Sequence, residues 1–301
     1  MKRDTNPPIR YFGGKSNMKK EIFKYFPEKG SFNTYIEPFS GSYSMGLAYC
    51  ADVPNEIYND LNKNVYSLYK VLQDENMFNK FKEKCDLAIY CEDFRKECAE
   101  SLKSDELDMV SRAFMFYYVN RTSHNGLGGT SVNLVVRRNM SKSVSDMLSS
   151  IDRMYELHQR LSKVIVLNRD AFDLIEKYMY NEDVFMYLDP PYVWDTRTST
   201  RYDIDMTNDQ HQKLIDICMN SKCKMLISGY DHELYDKLVN AGWTKVNFDV
   251  NTVSGTMKPK TKTETLWMNY VPKTSVEKDV KDEKDLNMGL NMEKTNEPSL
   301  F

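Results

Sequence analysis

Five apolar or aromatic residues, Val184, Phe185, Met186, Tyr187 and Leu188, run unbroken into Asp189-Pro190-Pro191-Tyr192. A short continuous apolar run with β-branched and aromatic members suits a strand buried on both faces. The two prolines then end the ladder, since neither can donate an N–H. Runs of similar texture recur at Thr34–Ile36, Ile57–Tyr58, Val164 onward, Lys224–Ser228, Val246–Val250 and residues 264–270. Helix-like stretches separate them, at Met18–Tyr25, after Ser42, at Asp209–Met219 and at Glu233–Ala241. Strands alternating with helices predict an α/β fold with a doubly wound sheet.

From Asn64 to about Gln159 the pattern changes. Val65, Leu68, Tyr69 and Leu72 recur at helical spacing, and charged amphipathic stretches follow as far as Ala113–Val119. Asn125-Gly126 is the strongest hairpin signal in the chain, and Val132–Val136 after it looks like a strand. The expected organisation is a discontinuous sheet domain (1–63 and 160–272) interrupted by a helical insert (64–159) that carries a basic β-hairpin. Val193–Asp205, polar and rich in Thr and Arg, reads as a lid. Residues 273–301 have little core material and read as a disordered tail.

Composition narrows the class. With 301 residues and 41% hydrophobic content the chain can bury a real core. No apolar run approaches the roughly 18 residues needed to span a bilayer. MKRDTNPPIR lacks the apolar stretch of a secretory signal, so a cytoplasmic protein is expected. The six cysteines are scattered without a C-x-x-C pair, so reduced thiols and no metal site are expected. Net charge is −3, yet Met109–Ser145 holds Arg112, Arg121, Arg137, Arg138 and Lys142 and no acid. That window is a local basic footprint, with Arg121, Asn125, Gly126, Arg137 and Arg138 as candidate nucleic-acid contacts. A plainly solvated basic face is the alternative.

The strand ends carry the candidate chemistry. Gly13-Gly14-Lys15 permits a tight turn at a helix start, where a carboxylate or phosphate can be held. It is not a P-loop, since that spacing is absent. Glu37, Pro38, Phe39, Ser40 and Gly41 form a strand, acid and small-residue loop before a helix, the nucleotide-binding start of a doubly wound sheet. Asp60 follows about twenty residues on, where an acid can bond ribose hydroxyls; a cap for the helix from Lys63 is the other reading. Asp170, with Ala171 and Phe172 behind it, could bond an adenine amino group and cover the ring. Lys15, Asp60 and Asp170 would then serve the amino acid, ribose and adenine ends of S-adenosylmethionine. The Asp189 carboxylate and the Pro190 carbonyl could accept from the two hydrogens of an exocyclic amine, and Tyr192 could stack on its ring. A base in a duplex would have to be flipped out to reach them, at a cost of roughly a few kcal/mol.

With these segments the chain resembles the Dam-type DNA adenine-N6 methyltransferases whose target-recognition region lies between the cofactor motifs and DPPY. IRYFGGK resembles the N-terminal cofactor segment, with Tyr11 at its aromatic position and Lys15 at its lysine. IEPFSGS resembles the F-x-G-x-G segment, YNDLN the ribose acid, NRDAF the adenine contact and LDPPY the catalytic motif. VNRTSHNGL is similar to the stretch before the DNA-reading hairpin, and KTETLWMNY to the final strand. The likeness runs from about Pro8 to Tyr270 in family order. It implies a Rossmann-like methyltransferase sheet, S-adenosylmethionine as cofactor, double-stranded DNA as partner, a monomer, and methylation within a short site such as GATC. One departure is Tyr43, where the family usually has Gly; a phenol there is expected to crowd the cofactor loop. The competing readings are an RNA amino-group methyltransferase, which shares DPPY, and a DNA-binding homologue without turnover.

Overall fold

Thr34–Glu37 (β1) and Val184–Leu188 (β6) lie side by side and parallel at the middle of a seven-stranded sheet. The computed structural model describes residues 5–11, 14–49, 52–123, 135–194, 204–252 and 260–272. Outward from β1 come Asn55–Asn59 (β2) and Val164–Leu167 (β5), both parallel. Outward from β6 comes the parallel Lys224–Gly229 (β7), then the antiparallel Lys260–Met268 (β9), with Thr244–Thr252 (β8) at the edge. The order β5-β2-β1-β6-β7-β9-β8 reverses direction between β1 and β6. Ligands of open α/β sheets bind outside the carboxyl ends of strands at such a switch point. Every residue of β6 is buried, as its unbroken apolar run requires.

The expected α/β fold is therefore present. Several element ends differ from the sequence reading. The helix expected at Met18–Tyr25 is broken into a 3-10 turn (Lys15–Asn17), a single α turn (α1, Lys19–Ile22) and a second 3-10 turn (Phe23–Tyr25). The helix expected at Glu233–Ala241 is a 3-10 turn followed by Asp236–Asn240. The last strand stops at Met268, two residues early. There Asn269 turns its side chain back, accepting from the Met225 N–H at 2.8 Å and donating to the Cys223 carbonyl at 2.7 Å.

Helix starts are set by local side chains. Asn62 caps Lys63–Gln73 (α3), Asp74 caps Glu75–Asp86 (α4), and Asp108 caps Met109–Thr122 (α6). Asp170 caps Ala171–Tyr178 (α9), and Thr207 with Gln210 forms a capping box on Asn208–Met219 (α10). In the insert, α6 packs against α3, α4, Glu92–Ser101 (α5) and Lys142–Asp152 (α7). α3 also packs on β5 and on Met154–Leu161 (α8), so one apolar core runs from the sheet face into the insert. A second core, built on the other face, joins Ile36, Met186, Leu188 and Ile227 to α9 and α10.

The expected Asn125-Gly126 hairpin, most of the lid and the C-terminal tail lie outside the described residues. Of the strand expected at Val132–Val136, only its end is described. It begins a two-residue strand, Val136–Arg137 (β3), paired with Met140–Ser141 (β4). The turn between them holds Arg138 and Asn139 at φ 54° and 58°, the double left-handed geometry of a tight hairpin.

Candidate active site

The carboxyl ends of β1, β2, β5 and β6 open onto one crevice. The crevice has a larger and a smaller compartment. Tyr11, Asp60, Asp170, Phe172 and Asp189 line the larger, with Ile204 and Met206 across the mouth. The smaller, beside it, is lined by Gly14, Lys15, Glu37 and Ser40. Tyr11, Phe39, Gly41 and Asp189 line both, so the two meet at the end of β6. The structure thus brings together nearly all the cofactor residues picked out in the sequence, Pro38 and Ala171 among them. Gly13 lies outside the described residues.

Asp60 shapes this crevice through its backbone contacts. Its Oδ2 accepts from the Gly41 N–H and its Oδ1 from the Asn62 N–H, both at 2.8 Å. The helix cap proper is Asn62, so the capping alternative for Asp60 is not what the structure shows. Gly41 sits at φ 49°, and a Cβ there would meet the Tyr11 ring at 2.7 Å, so only glycine fits. Asp170 accepts from the Phe172 N–H at 2.7 Å, which holds its carboxyl at the crevice wall.

Asp189 is gripped rather than free. Lys15 Nζ donates to its two oxygens at 2.7 and 2.9 Å, and Ser228 Oγ lies 3.0 Å from Oδ1. Tyr187, on the same strand, bonds Ser228 in turn at 2.9 Å. Lys15 is 2% exposed and also lies 3.6 Å from Glu264 on β9. Tyr192 donates its hydroxyl to Glu264, packs edge-on against Tyr230, and carries Lys15 over its ring at 4.7 Å. Lys15 is thus bonded to the Asp189 carboxylate while lining the smaller compartment, and the Tyr192 ring is buried beneath that lysine. Ser228 and Glu264 escaped the sequence reading. The one available signal was an acid inside the apolar strand ETLWM.

Glu37 is fully buried at the end of β1. Tyr35 Oη and the Gly46 N–H both donate to its Oε1 at 2.7 Å. Burial outweighs these bonds and pushes its pKa up to about 8. Burial also raises Glu264, with Lys15 opposing it. Among the described residues no group of three or more His, Cys, Asp or Glu is placed to hold a metal ion.

Residues 11–254 match the family described as D12 class N6 adenine-specific DNA methyltransferases. The chain belongs to this family. It is an adenine-specific DNA methyltransferase. Among its relatives, Type II methyltransferase M.CviBI of Paramecium bursaria Chlorella virus NC1A is 26% identical over 259 residues, covering 79% of this chain and 90% of the relative. Type II methyltransferase M.MjaIII of Methanocaldococcus jannaschii is 25% identical over 221 residues (67% and 76%). Modification methylase StsI of Streptococcus sanguinis is 25% identical over 300 residues, covering 91% of this chain and 44% of that longer protein.

In this methyltransferase Tyr43 does not crowd the cofactor loop, contrary to the expectation. It adopts φ 54°, the backbone a glycine would take, but its ring points into the core. There it meets Tyr58 and Tyr69 edge-on and donates to Glu56 at 3.1 Å. Glu56 also receives Arg160, whose other bond goes to the Gly46 carbonyl at 3.0 Å. A Cβ on Gly46 would fall 2.2 Å from the Tyr43 ring, so the bulky residue at 43 requires a glycine one helical turn later.

The basic window of the methyltransferase divides on inspection. Arg112 is buried, donating to Asn64 at 2.9 Å and the Ser104 carbonyl at 2.6 Å, so it is structural and leaves the expected footprint. Arg121 ties α6 to α7 through the Asp146 carbonyl at 3.0 Å, and burial lowers its pKa. Arg137 and Arg138 are exposed on the β3–β4 hairpin. Arg137 meets the Asp146 carboxylate at 2.9 Å, which also takes Arg10 and Lys142. Arg138 donates to Ser149 at 2.9 Å. Asn125 and Gly126 lie outside the described residues. Among the described residues no helix is long and apolar enough to cross a membrane.

Proposed function

We propose that this methyltransferase uses S-adenosylmethionine to methylate the exocyclic N6 of an adenine flipped out of duplex DNA, within a short site. The observation that carries the reading is that Asp189 stands on the wall shared by both compartments of the crevice. A donor bound across the two would meet an acceptor bonded to the Asp189 carboxylate. The residues fit that cofactor. Asp60 lines the crevice as a carboxylate acceptor for ribose hydroxyls, Asp170 is an acceptor for the adenine amino group, and Tyr11, Phe39 and Phe172 offer ring faces beside it. Glu37 lines the smaller compartment, where an ammonium group would relieve its burial. When bound, S-adenosylmethionine supplies an electrophilic methyl on a sulfonium.

The protein's own part is orientation and electrostatics. An adenine amine is a poor nucleophile because its lone pair is shared with the ring. Acceptance of its two hydrogens by the Asp189 carboxylate and the Pro190 carbonyl localises that pair on nitrogen. Pro191 keeps the corner rigid, since its φ is fixed. Positioning of this kind, in a water-poor site, provides most of the barrier reduction. Arg137 and Arg138, with Arg121 behind them and Asn125 and Gly126 in the preceding segment, hold the duplex by its phosphates and base edges.

The test is to incubate the protein with methyl-labelled S-adenosylmethionine and duplex DNA, GATC-containing duplexes first, and to digest the product to nucleosides. Label in N6-methyladenine is expected. Label on cytosine, or equal labelling of structured RNA, would defeat the reading. Sequencing of DNA from expressing cells then reports the site.

A further inference from the structure

Lys15 lies between two carboxylates, the buried Glu264 and the partly exposed Asp189. It holds Asp189 at 2.7 and 2.9 Å and stands 3.6 Å from Glu264 Oε1. Both Lys15 and the Glu264 side chain are almost wholly buried, at 2% and 3% exposure. In this state the lone pairs of Asp189 that would receive an adenine amine are directed at an ammonium. The amine is neutral and cannot outcompete a cation for a carboxylate unless the cation has somewhere better to go. Leaving Lys15 buried without a counter-ion would cost several kcal/mol. The Tyr192 ring lies against Nζ at 4.7 Å, so the ammonium is packed in place. Glu264 is the neighbouring seat, already an ion-pair partner of Lys15 at 3.6 Å but a looser one than Asp189. It is fixed there by the Tyr192 hydroxyl and by its place in β9.

Resting on the methyl-transfer reading above, we propose that Glu264 is a positioning residue that takes Lys15 from Asp189 when the target amine arrives. Lys15 keeps a carboxylate partner throughout, and only the balance between its two partners changes, from Asp189 toward Glu264. Asp189 is thereby held in shape in the empty enzyme and freed in the loaded one. No bond is made or broken in the exchange, and no proton moves. Glu264 touches neither adenine nor cofactor and acts through Lys15 alone. Tyr192 gains a second purpose, because its hydroxyl keeps the Glu264 carboxylate turned toward Nζ.

The test is a double-mutant cycle in single-turnover methylation, with Glu264→Gln in the wild-type and Lys15→Gln backgrounds. Glu264→Gln keeps the acceptor for Tyr192 but removes the charge. In the wild-type background it is expected to slow methyl transfer at least about tenfold, with cofactor and DNA dissociation constants little changed. In the Lys15→Gln background it is expected to add almost nothing, because there is no cation to draw away. Equal losses in both backgrounds would assign Glu264 a merely structural role and overturn the proposal, as would a wild-type rate in Glu264→Gln. A crystal structure of the wild-type enzyme with duplex and S-adenosylhomocysteine covers the case in which a variant fails to fold or turn over. Lys15 is expected nearer Glu264 than Asp189 once adenine is seated. A lysine still forked on Asp189 beside that adenine would overturn the proposal. Failure of the wild-type enzyme to methylate DNA at all would instead remove the reading on which the proposal rests.

Discussion

At the scale of single residues, Asp189 and Tyr43 make opposite points about what a sequence shows. The place of Asp189 is legible because an apolar run stopped by two prolines marks a strand end, although Asp-Pro also opens ordinary turns. Its Lys15 and Ser228 partners are not, since they come from positions 174 and 39 residues away. Asp189→Ala is expected to abolish methyl transfer while leaving most DNA binding intact, compared by single-turnover labelling and fluorescence anisotropy on one duplex. Substantial turnover in the variant would remove Asp189 from its role. Tyr43 is an apparent defect in a glycine-rich loop, and its direction decides the matter. Its left-handed φ costs about 1–2 kcal/mol, while its buried ring fills the space between Tyr58, Tyr69 and Gly46. Replacing so large a side chain by glycine loses roughly 3–5 kcal/mol of packing, so Tyr43→Gly should destabilise by about 2–3 kcal/mol net. Tyr43→Phe should lose about 1 kcal/mol, the net value of its bond to Glu56. Urea unfolding checks both, and a stabilised glycine variant would show that strain outweighs packing.

At the scale of elements, strands were easier to read than helices. β6 and β7 appear in the sequence almost to the residue, because burial on both faces demands an unbroken apolar run. The segment Met18–Tyr25 is expected from the sequence to be a helix. The stretch that holds it, 15–25, lacks a side-chain cap at each of its starts and breaks into three short turns. The hairpin at Val136–Ser141 was also invisible, since Arg138-Asn139 carries none of the glycine that normally marks such a turn. Its tip places Arg138 outward with Arg137 beside it, and among the described residues Asp146 and Ser149 hold them. DNA phosphates offer both guanidinium groups a denser set of acceptors. Replacing Arg137 and Arg138 by Ala should weaken DNA binding and reduce the slope of log affinity against log salt by about 1–2 units. Titrations from low to moderate salt provide the measurement. An unchanged slope would mean that this hairpin does not meet the backbone of the duplex.

At the scale of the whole molecule, one sheet must support both a core and a site, and its buried carboxylates show the strain between the two. Glu37, Glu56 and Glu264 are all buried, and burial raises the pKa of each above the ordinary carboxylate value. Glu37 is the clearest case, raised from 4.5 to about 8. Between those two values the folded protein holds a proton that the unfolded chain has released. The folded state therefore binds more protons than the unfolded one, and stability falls as pH rises through the window. Glu37 alone sets an upper limit of about 1.4 kcal/mol per pH unit. The wild-type enzyme should thus be less stable at pH 8 than at pH 5.5, and Glu37→Gln, neutral at every pH, should show a shallower dependence. Urea midpoints for the two proteins across that range measure the difference; parallel curves would mean that Glu37 is ionised in the fold. Cofactor adds a second arm to the measurement. If the ammonium end of S-adenosylmethionine lies in the compartment that Glu37 lines, the carboxylate form gains a partner and the wild-type curve should flatten toward that of the variant. The same acid that costs stability in the empty crevice would then be the group that makes the crevice selective for a cation.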